Sequence, residues 1–182
     1  MMKIRLATVW LGGCAGCHMS FLDLDEFLID LADAVELVYS PVVDVKRYPE
    51  NVDLCLLEGA VCNEDNLEML HQVRARTKVL VAFGDCAVTG NVPAMRNQLG
   101  HGNVENVLQR AYIDNAQNNP SVPQADGIVP ALLKRVAPVH EIVTIEHFLP
   151  GCPPPAARIK ALVGHLLAGQ PPALAGSDLK FG

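Results

Sequence analysis

Six cysteines in this chain of 182 residues are the side chains best suited to chemistry, and four of them share one kind of setting. Cys14 and Cys17 lie in the segment WLGGCAGC, Cys86 lies in FGDCA, and Cys152 lies in LPGCPPP. Each segment follows an apolar run that favours a buried β-strand. Cysteine thiolates brought together from such segments can hold an iron–sulfur cluster or zinc, or can form a redox-active dithiol.

Glycine lies within two residues of every one of these four thiols, and the glycines expected to support the site are Gly13, Gly16 and Gly151. Because glycine has no Cβ, the backbone N–H groups around it can approach a thiolate and donate hydrogen bonds that offset its charge. Cys17 is also predicted to open a helix, whose N-terminal dipole favours a thiolate. This pattern indicates a soft, anionic and partly buried site.

Two alternatives for the cysteines remain open at this point. A single Cys-x-x-Cys between a strand and a helix also fits a thioredoxin-like dithiol, but that hypothesis leaves Cys86 and Cys152 without a role. Structural zinc commonly uses paired Cys-x-x-Cys motifs, whereas two of these four cysteines are isolated and flanked by Gly and Pro. The residues therefore favour an iron–sulfur cluster over zinc and over a dithiol.

Several other residues near the predicted site have less specific patterns. Cys55 lies in the apolar run VDLCLL and is expected in the core, and Cys62 is expected to pack plainly, with a role as a spare ligand left open. Glu58 directly follows a predicted strand and is either a capping carboxylate or a group beside the cluster. Structural roles are expected for the others, namely packing or surface for His18, packing for Trp10 and a cap or turn for Asp85.

The elements that must position these residues alternate along the chain. The predicted strands are Ile4–Trp10, Val35–Tyr39, Val52–Leu57, Lys78–Phe83 and Glu141–Ile145. The predicted helices are Cys17–Ala32, Glu64–Ala75, Ile128–Val136 and Pro155–Leu167, with Asn63 as the N-cap of the second. Alternation of this kind predicts a three-layer α/β domain, flavodoxin-like, with a mostly parallel five-stranded sheet in the order 2-1-3-4-5 and helices on both faces. In that order the loops bearing the four thiols converge at the carboxyl edge of neighbouring strands.

The domain organisation predicted from the sequence is a single domain over residues 1–182. Residues 89–130 are rich in Asn, Gln, Gly and Pro and are expected to form a long irregular excursion, with one helix near Glu105–Ala116. Residues from about 170 to 182 are expected to form a C-terminal strap. In the first helix Phe21, Leu24, Phe27, Leu28 and Leu31 recur at helical spacing and are expected to form its buried stripe.

Composition and charge exclude several classes of protein. Half of the residues are apolar and only 19% are charged, against about 25% in an average soluble domain. The net charge of −6 and the lack of a basic stripe argue against nucleic-acid binding. No apolar stretch approaches the roughly 18 residues of a membrane span, so direct membrane insertion is not expected. The start MMKIRLATVW lacks the features of an export signal, which predicts a cytoplasmic protein with reduced thiols.

Taken together, the segments WLGGCAGCHMSFLDLDE, LLEGAV, FGDCA and PGCPP resemble the small subunit of [NiFe] hydrogenases. The resemblance is strongest to the soluble, bidirectional, NAD-reducing type, and it extends to the related 20 kDa cluster subunit of respiratory complex I. It implies a flavodoxin-like domain with one [4Fe–4S] cluster, proximal to a Ni–Fe site in a separate large subunit. The ligands that it implies are Cys14, Cys17, Cys86 and Cys152.

The function implied by this resemblance is electron transfer in a hydrogen:NAD+ oxidoreductase. The partners would be the [NiFe] large subunit, which holds the catalytic site, and diaphorase subunits that carry Fe–S clusters and FMN. The alternative is a complex I type of subunit that passes electrons to quinone. That subunit carries adjacent cysteines in its first motif, whereas two residues separate Cys14 and Cys17 here. Membrane-bound uptake hydrogenases read ECTGC at this place, where this chain has Gly13 and Ala15 instead of Glu and Thr.

Overall fold

The computed structural model describes residues 3–100, 103–172 and 174–181. Its strands and helices, in chain order, are β1 (Ile4–Trp10), α1 (Gly16–Leu22), α2 (Phe27–Ala34), β2 (Val35–Tyr39), β3 (Val52–Glu58), β4 (Val61–Asn63), α3 (Glu64–Arg76), β5 (Thr77–Phe83), α4 (Asp85–Thr89), α5 (Asn91–Ala94), α6 (Asn103–Gln109), β6 (Leu132–Ala137), β7 (His147–Leu149) and α7 (Ala156–Leu167). Five strands pair in parallel in the order β2-β1-β3-β5-β7. Numbered within this sheet, that order is 2-1-3-4-5, so the predicted flavodoxin-like α/β fold is confirmed.

Two hydrophobic cores lie on opposite faces of this sheet, because successive side chains of a strand point to opposite sides. In β3, Cys55 and Leu57 belong to one core, and Leu54 and Leu56 belong to the other. Helices α3 and α4 cover the first face, while α1, α2 and α7 cover the second. The central strands are therefore apolar on both sides, which is why their sequences read as continuous apolar runs.

The predicted helix Ile128–Val136 is wrong, because residues 132–137 form strand β6. This strand pairs antiparallel with β4 in a second, two-stranded sheet, with Val61 opposite Ala137. The Asn97 side chain also binds both backbone groups of Val136, accepting from its N–H and donating to its carbonyl oxygen at 2.8 Å each. The apolar run that follows Pro130 takes this long-range strand partner instead of forming a helix.

The predicted strand Glu141–Ile145 is also misplaced, since the fifth strand of the sheet is β7 at His147–Leu149. It pairs with β5 over Val81–Phe83. A 3₁₀ turn occupies Val139–Glu141, and the apolar residues that follow pack against the first core without joining the sheet. Burial of an apolar run does not require strand pairing, so periodicity alone misplaced this element.

The single helix predicted over Cys17–Ala32 is divided into α1 and α2. Asp25 adopts a left-handed backbone conformation (φ +50°) between them, which no continuous helix permits. The predicted stripe still faces the core: Leu24 and Leu31 are buried, and Phe21, Phe27 and Leu28 pack against the same cluster. Asn63 is confirmed as the N-cap of α3, because its side-chain oxygen accepts a hydrogen bond from the backbone N–H of Asn66 at 2.8 Å.

Residues 89–130 contain only short elements in the part that the structure describes. These are α5, a 3₁₀ turn at Met95–Leu99, α6 and a π-helical turn at Arg110–Asp114. Helix α6 continues directly into the π-helical turn, so helical backbone lies about where one helix was predicted, near Glu105–Ala116. In the C-terminal segment, Arg158 donates to the Lys180 carbonyl oxygen at 3.2 Å. Among the described residues, no helix combines the length and apolar character needed to cross a membrane.

Candidate metal centre

The four thiols of the predicted site lie on loops at one edge of the sheet. Cys14 and Cys17 follow β1, Cys86 follows β5 and Cys152 follows β7, while Glu58 is the last residue of β3, between β1 and β5. This is the carboxyl edge of four consecutive parallel strands, where open α/β folds bind ligands. Cys17 is buried, Cys86 is half-buried, and Cys14 and Cys152 are exposed.

The four thiols and Glu58 lie close enough together for their charges to affect one another. Burial raises the pKa of the Cys17 thiol well above its ordinary value, and the charges of Glu58, Cys86, Cys14 and Cys152 raise it further. Burial, followed by the charges of Cys152 and Cys14, raises the pKa of Cys86 to about 11. The thiols can therefore ionise together only if positive charge is placed among them, and iron bound to the sulfurs would supply that charge.

The spacing of the donors also bears on what they could hold. Within residues 3–100, 103–172 and 174–181, no three His, Cys, Asp or Glu side chains are arranged to bind a single metal ion. The four sulfurs nevertheless interact through their charges, as the pKa values of Cys17 and Cys86 show. Four thiolates are a donor set that iron–sulfur clusters and structural zinc both use.

Two glycines allow the β5 and β7 loops to lie against the thiols. Gly84 has φ +84°, and a Cβ at this position would lie 2.1 Å from the Sγ of Cys17. Gly151 has φ +138°, and a Cβ there would lie 2.6 Å from Pro154 Cα. Any other residue would be both strained and in collision, so glycine at these positions is required by close approach of the loops.

Among the described residues, Gly16 and Asn91 donate hydrogen bonds to the sulfurs of the edge, and the Asn91 contact is not predicted from the sequence. The Gly16 backbone N–H donates to Cys14 Sγ at 3.4 Å, as expected for a glycine beside a thiolate. The Asn91 side-chain amide donates to Cys152 Sγ at 3.4 Å from the start of the polar 89–130 segment. A Cβ at Gly13 would lie 3.4 Å from Gly59 Cα and 3.8 Å from Glu58 Oε1, which are ordinary contact distances, so close packing does not require glycine there.

Asp85 joins the β5 loop to the β7 loop. Its buried carboxylate accepts a hydrogen bond from the Gly151 backbone N–H at 2.6 Å, while its own N–H donates to the Gly151 carbonyl oxygen at 2.9 Å. The backbone N–H of Gly84 also donates to Leu149 O at 2.8 Å. Asp85 is therefore more than the local turn residue expected from the sequence: it holds Cys86 and Cys152 in a fixed relation to each other.

Glu58 caps a helix, which is one of the two roles that the sequence left open. Its buried carboxylate accepts hydrogen bonds from the backbone N–H groups of Cys17 (3.4 Å) and His18 (2.9 Å), which begin α1. The same carboxylate contacts Nδ1 of His18. Ala15, the N-cap of α1, makes no side-chain cap bond, so a carboxylate from a neighbouring strand caps this helix. His18, expected in a plain packing or surface role, is instead the buried partner of Glu58.

Cys55, Cys62 and Trp10 are the remaining residues singled out from the sequence. Cys55 is fully buried in the core as predicted. Cys62 is half-buried, and its thiol donates to the Ala60 carbonyl oxygen at 3.6 Å, which fits the expected packing role. Trp10 was expected to pack, but 45% of its surface is exposed at the carboxyl end of β1. The edge of the sheet that carries the thiols is thus also an apolar surface.

A comparison with protein families identifies the group to which the chain is related. The model of the "NADH ubiquinone oxidoreductase, 20 Kd subunit" family matches residues 14–166, a range that contains all four thiols of the edge. The chain belongs to this family. Its members therefore provide the context for the cysteines, Glu58 and the sheet described above.

The similar curated proteins are hydrogenase subunits. The NAD-reducing hydrogenase HoxS subunit delta of Cupriavidus necator is 39% identical over 175 residues, covering 93% of this chain and 81% of the relative. An F420-non-reducing hydrogenase subunit of Methanococcus voltae is 40% identical, covering 94% of this chain but 59% of the relative. An iron-sulfur subunit of the F420-non-reducing hydrogenase of Archaeoglobus profundus is 33% identical, covering 94% and 58% respectively. The chain therefore spans less than two thirds of these two archaeal relatives.

Solved structures give the same relationship. The crystal structure of an NAD+-reducing [NiFe]-hydrogenase in the H2-reduced state contains a chain that matches with a TM-score of 0.92 and 42% identity over the full length of both chains. A [NiFeSe]-hydrogenase from Dm. baculatum matches with a TM-score of 0.58 and 18% identity, which shows the shared fold alone. The resemblance to the small subunits of [NiFe] hydrogenases is confirmed, and with it the expectation that the chain is an oxidoreductase subunit.

Proposed function

We propose that this chain is the electron-transfer small subunit of a cytoplasmic, NAD(P)-linked [NiFe] hydrogenase. In this proposal Cys14, Cys17, Cys86 and Cys152 hold one [4Fe–4S] cluster. The observation that carries it is the convergence of four thiols, from loops after three neighbouring strands, into a group whose members raise the pKa of Cys17. The relative named as an iron-sulfur subunit supports the type of cofactor.

The protein's own contribution is to hold and surround the thiolates. When bound, a [4Fe–4S] cluster accepts and releases one electron at a time, at a potential set by hydrogen bonds, charge and burial. Gly16 and Asn91 donate to the sulfurs of Cys14 and Cys152 and thereby disperse their negative charge. Asp85 fixes the two loops that supply Cys86 and Cys152. These contacts would keep the ligand geometry nearly constant between the two oxidation states.

The partners in this proposal are two. Electrons come from a Ni–Fe site in a large subunit and continue to diaphorase subunits with Fe–S clusters and FMN, or flow in reverse. Support comes from the relative named NAD-reducing hydrogenase, at 39% identity, and from the exposure of Cys14 and Cys152 on the open edge of the sheet. We further propose that residues 1–182 act as one cluster-binding domain. Support comes from the five strands between residues 4 and 149, which all belong to one sheet.

A second candidate is a complex I type of subunit that passes electrons to quinone. The family model favours it, because its description is that of the 20 kDa subunit. The separation of Cys14 and Cys17 by two residues favours the hydrogenase. A thioredoxin-like dithiol is disfavoured, because it would leave Cys86 and Cys152, which lie at the same edge of the sheet, without a role.

The test is to purify the chain together with its co-expressed large and diaphorase subunits. We expect about four iron and four sulfide per copy of this chain beyond those that the partner subunits bind, and an EPR signal of a reduced [4Fe–4S] cluster. We also expect hydrogen-dependent reduction of NAD(P)+. Zinc in place of iron would overturn the cluster assignment, and quinone reduction without NAD(P)+ reduction would favour the second candidate.

A further inference from the structure

Asn91 joins two of the loops that carry the thiols. It is the first residue of α5, in the chain that follows β5, and its side-chain amide donates a hydrogen bond to Cys152 Sγ at 3.4 Å. Cys152 lies 61 positions further along the chain, on the loop after β7. The chain after β5 thus carries a thiol of its own, Cys86, and a donor directed at the thiol of the neighbouring loop.

The backbone holds Asn91 in a conformation that few residues adopt. Asn91 has φ +35°, and Gly90 before it has φ +86°. Hydrogen bonds on both sides fix this turn, because the Gly90 N–H donates to the Cys86 carbonyl oxygen at 3.0 Å and the Gly90 carbonyl oxygen accepts from the Ala94 N–H at 3.1 Å. A left-handed residue other than glycine costs free energy, and Asn is among the residues that tolerate it best. Backbone strain that a fold retains points to a role for the side chain at that position.

The charges at this edge make a neutral donor effective. The groups whose charges raise the pKa of the Cys86 thiol are all acidic, namely Cys152, Cys14, Glu58 and Asp85. Negative charge around an iron–sulfur cluster opposes reduction, because reduction adds one more negative charge to the cluster. An N–H group that donates to a ligand sulfur acts in the opposite direction without adding a charge of its own.

The two donors to the sulfurs of the edge differ in kind. Gly16 donates to Cys14 through its backbone N–H, which every residue except proline would supply. Asn91 donates to Cys152 through its side chain, so the residue type at position 91 decides whether this bond exists. A substitution at position 91 can therefore remove a hydrogen bond to sulfur while all four thiols remain in the chain.

We propose that Asn91 raises the reduction potential of the cluster by donating a hydrogen bond to Cys152 Sγ. This inference rests on the proposed function, in which Cys152 is a ligand. The amide offsets part of the negative charge that reduction places on the sulfurs, so the bond stabilises the reduced state more than the oxidised state. Asn91 acts through the sulfur of Cys152, which makes it a positioning residue and not a ligand.

The test is a redox titration, followed by EPR, of the co-expressed complex that carries Asn91→Gly. The signal of this chain's cluster is the one that Cys17→Ser alters or removes. Glycine removes the amide and accepts the left-handed backbone. We expect the ratio of reduced to oxidised cluster at a fixed potential to fall about threefold to tenfold, where tenfold corresponds to about 59 mV for one electron.

Asn119→Gly is the matched control for this variant. Asn119 lies in the same polar segment and is also left-handed (φ +46°), but it is exposed and makes no hydrogen bond to sulfur in the described structure. Its replacement by glycine changes the backbone freedom in the same way and leaves the edge untouched. The control should keep the wild-type ratio of reduced to oxidised cluster.

A second variant and a second readout separate tuning of the potential from simple support of the loop. Asn91→Asp keeps the size of the side chain and its tolerance of the left-handed backbone, but it puts a carboxylate where the donor was. Its ratio of reduced to oxidised cluster should fall at least as far as that of Asn91→Gly. ENDOR spectra recorded in H2O and in D2O should also show that Asn91→Gly loses the coupling of an exchangeable proton near the cluster.

The outcomes separate this inference from the proposed function. A wild-type complex without a [4Fe–4S] cluster in this chain would defeat the proposed function and the role of Asn91 with it. A loaded Asn91 variant that keeps the wild-type ratio, or the wild-type proton coupling, would overturn the role of Asn91 alone. Iron loss from both Asn91→Gly and Asn91→Asp would make Asn91 a structural residue of the loop and would also overturn it.

Discussion

Cys17 and Cys55 are both buried thiols with raised pKa values, yet the groups around them act in opposite directions on those pKa values. Burial raises the pKa of Cys17, and Glu58 and three further thiols raise it more. Burial raises the pKa of Cys55 to about 12, but a hydrogen bond from Tyr48 and the charge of Arg74 act in the opposite direction. In the core, the neighbours of Cys55 partly offset the effect of burial on its pKa. At the sheet edge, Cys17 is instead surrounded by other acidic groups.

This difference explains why one cysteine is structural and the other is a candidate ligand. A neutral thiol in an apolar core behaves as a small hydrophobic residue and needs nothing further. Four thiols and a carboxylate at one edge are arranged unfavourably unless a cation joins them. In our proposal the fold thus holds in place a set of acidic groups that bound metal would complete. The predictions below test that contrast between the edge and the core.

The largest effect is expected for Gly84→Ala. The new Cβ would lie 2.1 Å from Cys17 Sγ at a residue with φ +84°, so the variant should lose its iron and about 2–4 kcal/mol of stability. Gly164→Ala is the control, because Gly164 lies in α7 with open space around its Cα, and it should be neutral or slightly stabilising. Urea unfolding and iron analysis measure both effects. Normal iron content in Gly84→Ala would show that the loop does not position Cys17.

The next effect is expected for Glu58→Gln. The change removes the charge that caps α1 at the backbone N–H groups of Cys17 and His18, which should cost about 1–3 kcal/mol. It also removes a negative charge beside the cluster, so the reduction potential should become more positive. EPR-monitored redox titration measures the shift. The exposed Glu68→Gln on α3 serves as the control, and an equal potential in both variants would contradict the proximity of Glu58 to the cluster.

Cys55→Ala tests the core side of the comparison. Removal of a fully buried sulfur should cost about 1–2 kcal/mol through the cavity and the lost Tyr48 contact. The iron content should stay at the wild-type value, since Cys55 lies in the first core rather than at the edge. Thermal unfolding and iron analysis of the same sample measure both. A variant that folds but lacks iron would break the distinction between the two sets of cysteines.

The smallest effect concerns pH and requires removal of iron by a chelator. The pKa of the Cys86 thiol is raised from 9.0 to about 11 in the folded chain. A raised pKa contributes stability that is fully present below 9.0 and is lost as the pH rises through about 11. The iron-free chain should therefore become less stable over this interval, and iron-free Cys86→Ser should show a shallower decline. The loaded protein should show no such decline from Cys86, and an equal slope in all three samples would contradict the account.

The sheet and the location of the thiols could be predicted from the sequence, because both follow from local patterns. Parallel strands buried on both faces read as apolar runs, and all loops after such strands emerge at one edge. The two misplaced elements, β6 and β7, depend on distant partners. The Asn97 side chain and strand β4 select the strand conformation for residues 132–137, and no local pattern encodes either contact.

The contact between Glu58 and His18 could not be predicted from the sequence, because it too depends on residues that are distant along the chain. The sequence predicts either a capping carboxylate or a group beside the cluster for Glu58 and a packing or surface role for His18, but no contact between them. Their meeting depends on the register of β1 against β3, which places Trp10 beside Glu58 and brings the start of α1 over that carboxylate. The hydrogen bond from Asn91 to Cys152 could not be predicted either, because Asn91 lies in a polar segment where many residues are Asn or Gln.

The central claim is tested most directly by iron and sulfide analysis of six single Cys→Ser variants, each purified within the co-expressed complex. Cys14, Cys17, Cys86 and Cys152 form one set, and Cys55 and Cys62 form the other. We predict that every substitution in the first set lowers the iron and sulfide content and alters or abolishes the [4Fe–4S] EPR signal. Both substitutions in the second set should leave it at the wild-type level. A full, unaltered cluster in any variant of the first set, or its loss from a folded variant of the second, would contradict the account.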